Sequence, residues 1–299
     1  MSAAAYEHRR WTGADGLSLH YRDYPARPGA GAQRPPILCI PGLTRNARDF
    51  EPVAEAFAGE WRILCVDLRG RGDSDYARDP ASYTPAHYMA DLALLFEEAE
   101  LGRVVGIGTS LGGMVAMLLA AQSPDRFAAL ALNDIGPQVE EEGLARIREY
   151  VGQGRSFPTW MHAARALQEQ AGAAHPDFTL ADWLRLSKRL MCIAESGRIA
   201  FDYDMKIAEP FARPPDAGGP SLDLWPAFRA LAGRPVLALR GELSDILSAQ
   251  TLARMERELP GLDAVTVPRT GHAPTLEEPA AREALARLLA QVDTHGGLG

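Results

Sequence analysis

Val104-Val105-Gly106-Ile107-Gly108-Thr109-Ser110-Leu111-Gly112-Gly113 joins a wholly apolar, strand-like run to a helix-like one through a G-x-S-x-G turn. Continuous hydrophobicity marks a strand covered on both faces. A serine at so sharp a strand-to-helix turn stands clear of the sheet, and Gly108 and Gly112 bring no Cβ to the crowded strand and helix on either side. The helix opening at Leu111 aims backbone N–H groups and a positive dipole end at the same place. Gly and Ser are common in turns, so the pattern alone carries little. Its position after a buried strand makes it specific.

Three more apolar runs share that character: Ile37-Leu38-Cys39-Ile40, Ile63-Leu64-Cys65-Val66 and Ala128-Ala129-Leu130-Ala131-Leu132. Helix-like stretches at 49–58, 84–99 and 111–121 lie between the runs, an alternation that predicts parallel strands with right-handed crossovers. Upstream, residues 9–24 alternate around Ala14-Asp15-Gly16 and predict an antiparallel edge hairpin. After Pro137 the rhythm breaks, and residues to about Phe228 read as mostly helical. It resumes with Pro235-Val236-Leu237-Ala238-Leu239, a helix at 248–259, Ala264-Val265-Thr266-Val267 and a last helix at 277–292. The predicted organisation is an α/β core from 1–136 and 229–299, interrupted by a helical lid at 137–228. The Gly-rich tail after His295 is expected to fray.

A serine hydroxyl needs a base to take its proton and a carboxylate to orient that base. Arg240-Gly241-Glu242-Leu243-Ser244-Asp245 and Pro268-Arg269-Thr270-Gly271-His272-Ala273-Pro274 each follow a strand's carboxyl end, where ligands bind in open α/β sheets. His272 is the expected base and Asp245 the expected acid; Asp134, which ends the run 128–132, is the rival carboxylate. The amides of Leu43 and Leu111 are the expected donors to an oxyanion.

On these residues the chain resembles the α/β-hydrolase family over almost its whole length. The resemblance is carried by Pro41-Gly42-Leu43-Thr44, Asp67-Leu68-Arg69-Gly70-Arg71-Gly72-Asp73-Ser74, the turn at Ser110, Arg240-Gly241-Glu242 leading to Asp245, and Gly271-His272-Ala273-Pro274. The chain order Ser110, Asp245, His272 is that of the family. Pro41 replaces the histidine usual in the oxyanion loop, and Ser110 in place of Asp argues against the haloalkane dehalogenase and epoxide hydrolase branches. The resemblance implies a mostly parallel sheet with helices on both faces and a cofactor-free serine hydrolase acting on a small, largely apolar carboxylic ester. The same triad could serve an enol-lactone or carbon–carbon bond hydrolase. A lyase and a non-catalytic ligand receptor are the alternatives of other classes, and fold analogy cannot separate them.

Composition narrows the partners to a small-molecule substrate. The 299 residues carry 31 Lys plus Arg against 39 Asp plus Glu, a net charge of −8, with no basic run of the kind that nucleic acid or anionic lipid requires. No stretch of about 18 apolar residues and no signal-peptide pattern occurs, so a cytoplasmic protein is expected, with a homodimer compatible. The three cysteines have no C-x-x-C or metal-ligand spacing, and Cys39 and Cys65 read as core hydrophobes. The six histidines other than His272 show no ligand spacing either, so no metal is expected. Gly70-Arg71-Gly72-Asp73 lacks the dinucleotide-binding pattern and reads as a structural turn. In the insertion, Trp160, Met161, Trp183 and Met191 are the expected lining of an apolar substrate pocket, and mixed charges there give no case for a strongly charged substrate.

Overall fold

The computed structural model describes residues 5–29, 34–212 and 223–295; the tail after His295 lies outside them. In chain order the strands are β1 Glu7–Thr12, β2 Ser18–Tyr24, β3 Ile37–Ile40, β4 Ile63–Asp67, β5 Val104–Thr109, β6 Phe127–Asn133, β7 Ser156–Phe157, β8 Met191–Ile193, β9 Ile199–Phe201, β10 Val236–Gly241 and β11 Asp263–Val267. The helices are α1 Glu51–Phe57, α2 Pro85–Glu98, α3 Leu111–Gln122, α4 Glu141–Tyr150, α5 Trp160–Ala171, α6 Leu180–Leu190, α7 Ala208–Ala212, α8 Trp225–Arg229, α9 Ala249–Glu258 and α10 Pro279–His295.

Eight strands form one sheet in the order β1-β2-β4-β3-β5-β6-β10-β11. The hairpin predicted around Asp15-Gly16 is present: β1 pairs antiparallel with β2, which pairs antiparallel with β4, and the rest of the sheet is parallel. The apolar runs are explained by burial on both faces. Leu38, Ile40 and Val104 point to a core shared with α2, α3, α8 and α9, while Ile37, Cys39, Val105 and Ile107 point to a second core shared with α1 and α10. Cys39 and Cys65 face one another across β3 and β4 as buried free thiols, and burial raises the Cys39 thiol far above its ordinary range. No described helix is long and apolar enough to cross a membrane.

Between β6 and β10 the described residues form the helices α4 to α8, and they also build a three-stranded antiparallel sheet, β7-β9-β8. Strands of two and three residues are too short for a period-2 pattern to register in sequence. Helix α6 starts at a capping box in which Thr179 and Asp182 satisfy each other's backbone amides. Its apolar face meets that of α5 in a third, separate core. Loops of the sheet hold this segment: Arg48 donates to Asp202 at 2.6 Å, Asn46 Nδ2 to the Arg189 carbonyl at 3.0 Å, and Tyr83 Oη to Asp204 at 2.6 Å.

Candidate active site

At the end of β5 the chain turns into α3 through Ser110, whose backbone sits at φ 53°, ψ −120°. The turn is this tight because its glycines permit it. A Cβ on Gly112 would lie 2.0 Å from the Ile40 carbonyl oxygen, and one on Gly108 would lie 2.5 Å from that of Gly112. The Ser110 amide donates to the Asn133 carbonyl at 2.9 Å, which ties the turn to the neighbouring strand.

His272 Nε2 lies 2.9 Å from Ser110 Oγ, so the predicted nucleophile and base meet. The other ring nitrogen, Nδ1, lies 2.7 Å from Asp134 Oδ2. Asp134 is fully buried, and its carboxylate also accepts from the Gly241 amide at 2.8 Å and from Ser244 Oγ at 2.6 Å. A carboxylate so placed fixes the imidazole with its proton on Nδ1 and its lone pair toward the serine. Asn133 braces the same loop, donating from Nδ2 to the Pro274 carbonyl at 2.9 Å and to Thr109 Oγ1 at 3.0 Å.

The expectation that Asp245 would orient His272 is therefore corrected. Asp245 instead accepts two hydrogen bonds from Arg146 of α4, at 2.5 and 2.9 Å. Burial works to raise its pKa, but the hydrogen bonds and charge of Arg146 outweigh this and hold it below the usual carboxylate range. The cause is positional: Asp245 stands four residues past the end of β10, where the loop has already turned toward α4, whereas Asp134 follows directly on β6.

Leu43 and Leu111 both border the cavity into which Ser110 opens. The Leu111 amide opens α3 and has no acceptor within the helix. Leu43 is held through its carbonyl, which accepts from Arg71 Nε at 2.9 Å. Arg71 is wholly buried; it also donates to the Arg69 carbonyl at 2.6 Å and to Tyr88 Oη at 3.0 Å. The Gly70-Arg71-Gly72-Asp73 turn thus anchors the loop in which Pro41 stands for histidine, a role that sequence reasoning missed. The signal available was an arginine inside a motif otherwise spent on turns.

The cavity, of about 240 Å³, is mainly apolar. The insertion supplies part of its wall, but through Val139, Leu144, Ile147, Ile207, Pro210 and Phe211. Trp160, Met161, Trp183 and Met191 do not border it. Trp183 and Met191 are buried in the α5–α6 core with Trp160 packed against it, and Met161 is 40% exposed. Helices that bury their apolar faces against each other have none left for a ligand. Beside the site, the Gly271 amide donates to the Ala174 carbonyl at 2.6 Å, which seats the buried His175 near His272. Burial, with added repulsion from Arg45 and His272, pushes the His175 pKa down to about 4.

Residues 37–285 match the model of the alpha/beta hydrolase family. The chain is 33% identical to a 3-hydroxybutyrate-oligomer hydrolase of Cupriavidus necator, over 82% of this chain and 84% of that protein. It is 30% identical to a 2-(acetamidomethylene)succinate hydrolase of Mesorhizobium japonicum, over 80% and 81% of the two chains. The crystal structure of an alpha/beta hydrolase from Novosphingobium aromaticivorans superposes with a TM-score of 0.91 at 59% identity, covering 97% of this chain and 100% of that one. Strand order, serine turn and family match agree, and the chain belongs to the alpha/beta hydrolase family.

Proposed function

We propose that this chain is a serine hydrolase of small carboxylic esters, with Ser110 as nucleophile, His272 as general base and then acid, and Asp134 as the orienting carboxylate. The observation that carries the reading is the unbroken hydrogen-bonded line from Ser110 Oγ through His272 to Asp134. His272 Nε2 takes the hydroxyl proton as Oγ attacks the ester carbonyl. The amides of Leu43 and Leu111 receive the developing oxyanion. His272 then passes the proton to the departing alkoxide, leaving an acyl-serine, and activates a water that releases the acid and restores Ser110. No step calls for a cofactor.

The apolar cavity suits a short acyl or alkyl group, and segment 137–228 acts as its lid. The resemblance to a 3-hydroxybutyrate-oligomer hydrolase makes short hydroxyacid esters the first substrates to try. The test is labelling with a fluorophosphonate, with the modified residue mapped by mass spectrometry, followed by assay on p-nitrophenyl esters of increasing chain length and on 3-hydroxybutyrate dimer and trimer. Label on Ser110 with ester turnover is expected. Each methylene buried in the cavity contributes about 0.8 kcal/mol, roughly fourfold in kcat/KM where the gain is kept in the transition state. Failure of Ser110 to label, or labelling without turnover of any ester, overturns the reading in favour of a lyase or a binding protein.

A further inference from the structure

On the sheet edge formed by β1 and β2, two histidines and two aspartates from separate parts of the chain converge. His20 is buried on β2, and its Nδ1 lies 2.7 Å from Asp67 Oδ2 at the end of β4. Asp67 is itself fixed, accepting from the Ala47 amide at 2.6 Å and the Asp73 amide at 3.1 Å. With this carboxylate on Nδ1, the His20 proton stays there and Nε2 presents a lone pair outward. That is the carboxylate–histidine arrangement that prepares a metal ligand.

His8 supplies the second nitrogen. Its partner across β1 and β2 is Arg22, so His8 and His20 are diagonal neighbours on one face of the hairpin. His8 Nδ1 lies 2.8 Å from His20 Nε2. Asp73 supplies an oxygen: its Oδ2 lies 4.0 Å from His8 Nδ1, and 3.8 Å from Nδ1 of the His20 ring whose other nitrogen, Nε2, faces His8. One ligand atom from each of the three residues falls within 4.8 Å of the others, and among the described residues the imidazoles of His8 and His20 are the basic groups within 4.0 Å of the Asp73 carboxylate.

We infer that His8, His20 and Asp73 form a binding site for one divalent first-row transition-metal ion, of the class of Zn²⁺ or Ni²⁺, apart from the Ser110 centre. Two imidazoles and a carboxylate are a donor set these ions favour. With metal–nitrogen bonds of about 2.1 Å, nitrogens 2.8 Å apart subtend roughly 85°, near the right angle of an octahedral Ni²⁺ site, and the tetrahedral angle of Zn²⁺ is reached when the exposed His8 moves its nitrogen to about 3.4 Å from that of His20. Asp73 and His8, with side chains 54% and 63% exposed, can close the remaining distance, and the solvent side leaves room for water ligands. The proton balance is neutral. Without metal, His8 Nδ1–H donates to His20 Nε2; on binding, His8 gives that proton to solvent and takes one on its exposed Nε2. Ligands at positions 8, 20 and 73 lie on three separate segments, which is why no local spacing pattern reveals them.

The experiment uses untagged protein stripped with chelator and titrated with Zn²⁺ and with Ni²⁺ by calorimetry, with the d–d spectrum of bound Co²⁺ as a second readout. One equivalent is expected to bind, with affinity falling at least tenfold in both His8→Ala and Asp73→Asn. Both side chains are exposed, so the metal-free fold should be kept: Asp73→Asn should leave the melting temperature unchanged, and His8→Ala should lower it only by what its hydrogen bond to His20 contributes. Absence of one-equivalent binding by the parent chain, or unchanged affinity in either variant, overturns the site.

Discussion

Thr109 of β5 and Asn133 of β6 are paired across the parallel sheet, so the residues that follow them, Ser110 and Asp134, leave adjacent strands at the same level. Both then adopt positive φ, 53° and 54°. Such conformations cost non-glycine residues of order 1 kcal/mol or more and persist where surrounding structure enforces them. Here the paired strand ends and the bond from the Ser110 amide to the Asn133 carbonyl do so. The shared register brings the Ser110 hydroxyl and the Asp134 carboxylate within reach of one imidazole.

Asp134→Asn should lower kcat by about 10⁴, because the amide can stabilise the wrong imidazole tautomer while leaving the backbone in place. Asp245→Asn should leave kcat within severalfold of the parent and cost less than about 1 kcal/mol of stability, since its pair with Arg146 is partly exposed. Steady-state kinetics on one ester with both variants decides the matter. A severe kcat loss confined to the Asp245 variant would return the acid's role to that residue.

Arg71→Met tests how the oxyanion loop is held. Arg71 touches no substrate in the proposed reaction and acts by fixing the Leu43 carbonyl, and with it the loop whose amide is the proposed oxyanion donor. Losing an oxyanion donor outright costs about 10² to 10³ in kcat, so a displaced donor should cost about tenfold to a hundredfold, with KM little changed. Arg71→Lys should not restore activity, because a single ammonium cannot span Leu43, Arg69 and Tyr88 as the guanidinium does. If folded variant protein keeps parental kcat, Arg71 serves stability alone.

The sheet was legible because strands buried on both faces write themselves as unbroken apolar runs, and the Ser110 turn because its glycines are sterically required. His272 was legible as the sole histidine on a loop after a core strand. Asp134 was visible only as a rival, because the choice between carboxylates depends on inter-strand register, which sequence spacing does not encode. The apolar wall of the cavity escaped for a related reason. Trp160, Met161, Trp183 and Met191 have the composition of a pocket, but which face of an amphipathic helix meets which neighbour is set by tertiary packing.

A buried ion pair between the loop after β4 and α2 offers a stability test. Arg69 and Asp91 have side chains each 1% exposed and are joined by two hydrogen bonds of 2.7 Å. Asp91→Ala leaves the guanidinium buried with the more exposed Asp15 as its remaining carboxylate partner. The expected cost is about 3 to 5 kcal/mol, which corresponds to a fall in melting temperature of roughly 10 °C for a chain of this size. A change below 1 kcal/mol in urea unfolding would show that the pair is dispensable.

His175 makes the fold sensitive to mild acid. Burial holds its imidazole neutral, lowering the pKa to about 4 from an ordinary value of 6.5, and Arg45 and His272 add to the effect. The unfolded chain therefore binds more protons than the folded one between about pH 6.5 and 4, and stability must fall as pH drops through that window. Above pH 7 the two states bind equally and this contribution is fully present. Between pH 7.5 and 5.0 the difference in pKa amounts to about 2 kcal/mol of lost stability. The measurement is urea unfolding at both pH values for the parent and for His175→Gln, which has nothing to titrate in that range. Whatever the substitution itself costs appears at both pH values and cancels in the comparison. The parent should lose about 2 kcal/mol more than the variant on acidification; equal losses would mean that His175 is protonated in the folded chain as readily as in the unfolded one.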